Sequence, residues 1–192
     1  MLSESAARWL LVLHAALGVA AVGAVTHLVI WMRRYLRGDY GRKRAVRRFA
    51  WIALALHAAA FVAGNVLYPT YRIEVRAAYL ENAAAITADR ATHQRELERV
   101  AARENAPAPE IEPVSVRVER AAKAARWFDV KEHWVALGLL ASLGLVLVLA
   151  FWDPRTGSPA IAPAAFGLTV VVAGTVWCGA IIGLVTASWR AV

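Results

Sequence analysis

The stretch that decides the fold is RRYLRGDYGRKRAVRR, residues 33–48. Its eight bases against one acid give a net charge of +7, out of +8 for the whole chain. Long stretches without a charged residue lie on both sides of it. This pattern is typical of membrane proteins, in which a strongly basic loop stays on the cytoplasmic side. The bases are Arg33, Arg34, Arg37, Arg42, Lys43, Arg44, Arg47 and Arg48.

Four segments of the 192-residue chain carry no charge, and they are 9–32, 49–71, 133–152 and 156–189. A helix needs about 20 apolar residues to cross the hydrocarbon of a bilayer, so each segment is long enough to cross once. We therefore predict an all-α membrane protein with a four-transmembrane-helix bundle. The predicted spans are 9–32, 49–68, 132–152 and 165–187.

The segment between the second and third spans has a different composition. Residues 72–132 carry 11 bases and 11 acids, and neither Gly nor Pro interrupts residues 73–105. Ala, Leu, Glu and Arg, which favour helices, dominate that stretch. Pro107 and Pro109 would end a first helix, and Pro113 would open a second. The sequence therefore predicts a helical hairpin outside the membrane.

These elements divide the chain into three parts. Residues 1–68 hold the first two spans and the basic loop, 69–131 form the extracytoplasmic hairpin, and 132–192 hold the last two spans. With the basic loop in the cytoplasm, the hairpin and both termini lie outside the plasma membrane of a bacterium. Most of the eight tryptophans fall at the predicted boundaries, where amphipathic rings prefer to lie.

Several classes of protein are disfavoured by the same composition. The high isoelectric point, about 10.4, does not indicate nucleic-acid binding, because the bases are concentrated in one short connection and not spread over a folded face. Cys178 is the only cysteine, so the chain offers no internal disulfide and no paired-cysteine metal site. No nucleophile–base pair, phosphate loop or metalloprotease motif is present. We do not expect an enzyme that acts alone.

Four of the five histidines lie in or at the edge of the predicted spans, namely His14, His27, His57 and His133. An ionisable side chain inside hydrocarbon is costly, so each is by default a hypothesis for a functional site. Their distances from the nearest charged residues place His14 and His133 in the outer half and His27 and His57 in the inner half. Depth therefore predicts two pairs, each drawn from two helices.

Paired imidazoles from facing helices are the axial ligands that b-type haem takes in helix bundles. The pattern predicts one or two haems b and electron transfer across the membrane. In this layout the chain resembles, by architecture alone, the four-helix membrane cytochrome subunits of respiratory complexes, which implies an accessory or anchor subunit of a larger complex. The alternative is a purely structural interaction protein, in which each imidazole bonds a carbonyl or hydroxyl of a neighbouring helix.

A third class, a small metal- or quinone-handling membrane protein, depends on other polar residues. Asp129, Glu132 and His133 lie close together in sequence at the outer edge of the third span, where a metal or a proton relay could be held. Ordinary solvated charge at the membrane surface is the competing interpretation. Asn65 in the second span would either bond a neighbouring helix or line a quinone pocket.

The remaining hypotheses concern partners. Small residues four apart allow close contact between helices, either inside the chain, with a second copy or with another subunit. Such pairs are Gly138 with Ser142, and Gly179 with Gly183. The expected partners are the lipid bilayer and other membrane subunits or a second copy, and not nucleic acid. The basic loop would set the topology and could also bind anionic lipid headgroups.

Overall fold

The computed structural model describes residues 2–189, which form helices and connections without a strand. Its five α-helices are α1 (Glu4–Leu36), α2 (Lys43–Thr70), α3 (Ala83–Glu104), α4 (Val114–Phe151) and α5 (Ile161–Ala187). Four of them, α1, α2, α4 and α5, are long and apolar enough to cross a membrane. Each of these helices contains one of the predicted spans, except that the third span extends one residue beyond the end of α4. The all-α fold with four such helices is therefore confirmed.

The four long helices form a closed bundle, since α1 and α4 each pack against both α2 and α5. Its main core lies near the basic loop and includes Leu28, Met32, Val46 and Leu145, all nearly inaccessible to solvent. The α1–α5 contact also contains a polar bond. The indole Nε1 of Trp177, near the middle of α5, donates to Thr26 Oγ1 at 3.1 Å.

One salt bridge, between Lys43 and Asp153, fastens the basic loop to the connection between α4 and α5. Lys43 Nζ lies 2.7 Å from Asp153 Oδ2, which also accepts from Arg155 Nη2 at 2.9 Å. Hydrogen bonds from Arg155 and Lys43 hold the pKa of the Asp153 carboxyl well below its ordinary value. A carboxylate held in this way stays ionised at neutral pH, so both contacts persist there.

Beyond Thr70 the second long helix continues as a π-helical segment, Tyr71–Leu80. A π-helix bonds each N–H to the carbonyl five residues earlier, so its turn is wider than an α-turn. Side chains four apart then share a face, and Tyr71, Val75 and Tyr79 are all buried. Tyr71 stacks on Phe128 of α4 with ring centroids 3.9 Å apart. This segment is therefore anchored to the first half of α4 by its aromatic face.

The uninterrupted helix expected over residues 73–105 is not found, because a new helix begins at Ala83. Asn82 adopts an extended backbone conformation, and its side chain accepts from the N–H of Ala85, which is the geometry of an N-cap. The predicted ends are confirmed. The α3 helix stops at Glu104, followed by a left-handed residue, and α4 begins directly after Pro113.

Candidate functional site

His14 lies in the seam between α1 and α2, half-buried. Its Nδ1 is 2.9 Å from the carbonyl oxygen of Ala60. A carbonyl can only accept, so Nδ1 carries the proton and donates. The ring rests against Gly64, where an added Cβ would lie 3.1 Å from His14 Cε1. Gly64 therefore makes room for the imidazole, and the hydrogen bond joins the two helices.

His57 is the most buried of the four, with 3% of its surface exposed. Its Nδ1 lies 3.4 Å from Ser142 Oγ on α4. The Ser142 hydroxyl donates to the Gly138 carbonyl at 2.8 Å, so its oxygen is left to accept from His57. The ring lies directly against Gly138, whose added Cβ would be 3.0 Å from His57 Cε1. His57 thus joins α2 to α4 as His14 joins α1 to α2.

The second ring nitrogen of His57 is less well satisfied. Nε2 is buried without a well-formed hydrogen bond, and the backbone carbonyl of Val135 is the polar group near the ring. A carbonyl can only accept, so Nε2 competes with Nδ1 for the proton of the ring. A buried ring nitrogen left without a partner typically costs about 1–3 kcal/mol.

His27 lies on an exposed face of α1. Its Nδ1 is 2.9 Å from the Gly23 carbonyl of the same helix, and its ring stacks on Phe49 with centroids 5.9 Å apart. Within residues 2–189 nothing bonds its Nε2. Ala16, Ala20 and Gly23, all exposed, lie three or four residues apart on the same side of α1. The imidazole therefore stands at one end of an exposed small-residue face.

His133 is also exposed, and its Nδ1 is 2.9 Å from the Asp129 carbonyl of its own helix. The residue that α4 turns inward here is Lys131. Its Nζ would be 3.2 Å from a Cβ on Gly183 of α5, and it lies 5.0 Å from the ring centre of Phe128. Sequence reasoning missed Lys131, although helical spacing places it on the same face as Gly138 and Ser142.

The two histidine pairs predicted from depth are not joined by any ring contact in the described part of the chain. His14 faces α2 while His133 is exposed, and His27 is exposed while His57 faces α4. In His14, His27 and His133 the Nδ1 atom faces a backbone carbonyl and must donate, which leaves Nε2 as a lone pair. That is the form in which an imidazole ligates a metal.

In the described part of the chain, the polar residues at the outer edge of the third span do not contact one common group, and each has its own hydrogen-bond partner where one is formed. Asp129 Oδ1 accepts from Arg76 Nη1 at 2.5 Å. No three carboxylate, imidazole or thiol groups of residues 2–189 converge in a way that could hold a metal ion. Asn65 is exposed and donates to the Phe61 carbonyl of its own helix at 2.8 Å.

The small residues singled out from the sequence lie inside the bundle. An added Cβ on Gly179 would be 3.1 Å from Val135 Cγ2, and Gly183 receives Lys131. Gly138 receives Thr175, and Ser142 bonds His57. Their spacing therefore serves the packing of α4 on α5 and α2 within this chain.

The eight bases of residues 33–48 fall into two groups. Arg42 pairs with Asp39, Lys43 with Asp153, and Arg47 with backbone carbonyls of α4. The other five are exposed and form no ion pair with a described residue, and they are Arg33, Arg34, Arg37, Arg44 and Arg48. Only the side chains of the first group make ion pairs or hydrogen bonds within the described part of the chain.

Gly138→Ala is expected to destabilise the bundle, because the new Cβ would lie 2.2 Å from Thr175 Oγ1. Overpacking of this kind costs about 1–3 kcal/mol. Gly144→Ala in the same helix is the matched control, since nothing lies within 4 Å of its Cβ. Thermal unfolding in detergent measures both. Equal melting temperatures for the two variants would contradict the close contact at His57.

The chain matches no protein-family model, no curated protein and no solved structure. Its function is therefore inferred from its own residues. Of the four histidines, His14 and His57 lie in helix seams, whereas His27 and His133 lie on exposed faces. The two groups call for different explanations, because only a seam supplies neighbouring polar groups from a second helix.

Proposed function

We propose that this chain is a multi-pass accessory or anchor subunit of a larger membrane assembly. The observation that carries the proposal is the exposure of His27. It lies six residues before Arg33, or about 9 Å along the helix, and therefore inside the predicted hydrocarbon layer. Ionisable residues at such depth almost always face protein or a cavity, and not lipid. A neighbouring helix that covers this face would remove the free-energy cost of exposing the imidazole to lipid.

The surroundings of His27 suit such a neighbour. Ala16, Ala20 and Gly23 leave the surface flat, and nothing lies within 4 Å of a Cβ placed on Gly23. Small residues at this spacing let two helix backbones approach closely, and a polar side chain beside them can bond across the contact. The Nε2 lone pair of His27 would accept that bond. The neighbour is another subunit or a second copy of this chain.

Replacing Gly23 tests this role without disturbing the single chain. In Gly23→Ile the new side chain enters open space in the bundle but occupies the proposed contact, so the assembly extracted in mild detergent should fall to one 20.9 kDa chain. Gly174→Ile is the matched control, because Gly174 is exposed on α5 with equal space around its Cβ. Light scattering after gel filtration gives the mass.

The proposal fails if the wild-type protein is already a single chain when extracted, or if both isoleucine variants lower the mass equally. Loss of the assembly in Gly23→Ile alone supports it. Retention of the far-UV helical spectrum by both variants shows that the bundle itself is unchanged.

We further propose the orientation of the assembly. The eight bases of 33–48 place that loop in the cytoplasm of a bacterium. The π-helical segment, α3 and the first half of α4 then form a hairpin outside the plasma membrane, together with both termini. The 22 charged side chains of residues 72–132 support this, because hydrocarbon excludes such a segment.

Labelling of single cysteines checks the orientation. In a Cys178→Ala background, Ala108→Cys in the hairpin should react with a membrane-impermeant maleimide in intact cells, whereas Gly41→Cys in the basic loop should not. Both should react once the cells are permeabilised. The reverse pattern in intact cells would contradict the proposed topology.

Haem-mediated electron transfer is the second candidate. It is favoured by His14, His27 and His133, because an Nδ1 that donates to a carbonyl leaves Nε2 free to ligate iron. His27 presents that nitrogen outward, where a haem held together with a partner would reach it. A haem on His57 would require α2 and α4 to separate, because the ring touches Gly138. When bound, haem would supply reversible one-electron transfer.

Optical spectra separate the two candidates. Because neither histidine pair is in contact, we expect the chain purified alone from haem-replete cells to show no reduced-minus-oxidised band. A Soret or α band in the isolated chain that is lost in His57→Leu would overturn the structural role of this histidine. A band found only in the intact assembly and lost in His27→Leu would support a shared haem.

A further inference from the structure

A groove opens between α2 and α4 close to the basic loop. Its cavity measures about 150 Å³ and is lined by Arg47, Ala50, Trp51, Val146, Leu149 and Ala150. All but one of these residues are apolar. The groove therefore combines apolar side chains with the polar guanidinium group of Arg47.

Arg47 is a fixed part of this groove. Its Nε donates to the Leu149 carbonyl at 2.6 Å and its Nη2 to the Ala150 carbonyl at 2.7 Å. Carbonyls at the end of a helix lack partners within the helix, and a basic side chain there also suits the negative end of the helix dipole. Arg47 thus holds α2 against α4 and keeps the groove at a set width.

The other bases of this face of α2 are free. Arg44 and Arg48 lie four residues apart on one side of α2, next to Arg47, are exposed, and pair with no acid among the described residues. Trp51 continues the same face one turn further into the membrane and is 59% exposed. Along α2, the unpaired guanidinium groups of Arg44 and Arg48 are therefore followed by the indole of Trp51, which lines the groove.

We propose that this groove binds one anionic phospholipid from the leaflet that contacts the 33–48 loop. Its phosphate lies between Arg44 and Arg48, since guanidinium groups match phosphate oxygens in geometry and charge. Trp51 lies at the level of the glycerol, where amphipathic rings prefer to be. The acyl chain passes Ala150 at the exposed mouth of the groove, whose floor is formed by the buried side chains of Ala50 and Val146. A free phosphate ion would use only the arginines and gain nothing from the groove.

The bases at the end of α1 provide the contrast. Arg33 and Arg34 are also exposed and form no ion pair with a described acid, but they lie on α1, which does not line this groove. If the loop attracts anionic lipid only through its summed charge, the two arginine pairs are equivalent. If the groove is a site, only the α2 pair governs retention of a lipid molecule.

Native mass spectrometry of the detergent-purified protein tests this directly. With dioleoyl phosphatidylglycerol and dioleoyl phosphatidylcholine supplied in equal amounts, the wild type should retain the anionic lipid preferentially. Arg44→Gln with Arg48→Gln should weaken that retention about tenfold or more, whereas Arg33→Gln with Arg34→Gln, an equal loss of charge, should change it less than about twofold. Inorganic phosphate should not displace the lipid.

A second variant tests the apolar half without changing charge. Ala150 is exposed at the groove, so Ala150→Leu should fill it and weaken lipid retention while the helical spectrum and melting temperature stay close to those of the wild type. Equal losses in the two arginine variants, no preference for the anionic lipid, or displacement by phosphate would each overturn the proposal.

Discussion

Hydrocarbon supplies no hydrogen-bond partner, so every polar group at membrane depth must be satisfied by protein. The backbone meets this demand by staying helical through four long segments. The imidazoles meet it through Nδ1, which donates to a carbonyl at 2.9 Å in His14, His27 and His133 and faces the Ser142 hydroxyl in His57. Nε2 is left as a lone pair in His14, His27 and His133, and the four histidines differ in what this second nitrogen faces.

The surroundings of Nε2 separate stabilising histidines from those that call for a partner. His57 is enclosed by α2, α4 and the small residue Gly138, so its contribution is to the bundle itself. His27 stands at the surface beside a flat face, stacked on Phe49, and its Nε2 has no partner among the described residues. In the proposed assembly, a neighbouring helix would supply that partner.

The basic loop has one observed role and two proposed ones, and the three depend on different physical effects. Orientation depends on the total charge near the membrane, which does not require any one contact. Fastening the loop depends on local geometry, as in Lys43 with Asp153 and Arg47 with the end of α4. Lipid recognition depends on guanidinium groups that remain free beside an apolar groove, which is the situation of Arg44 and Arg48.

The number of long apolar helices followed from the sequence alone, because the length of hydrocarbon to be crossed and the exclusion of charge act on composition. The depth of each residue in the bilayer follows from the same count and stays a prediction. The direction of a side chain around the helix axis did not follow from the sequence, since it depends on which helices pack together. Lys131 and His133 are two residues apart and therefore about 200° apart around α4, and packing against Gly183 turns the lysine inward and the histidine out. Composition thus determined the long apolar helices, and the contacts of each imidazole were decided by the tertiary structure.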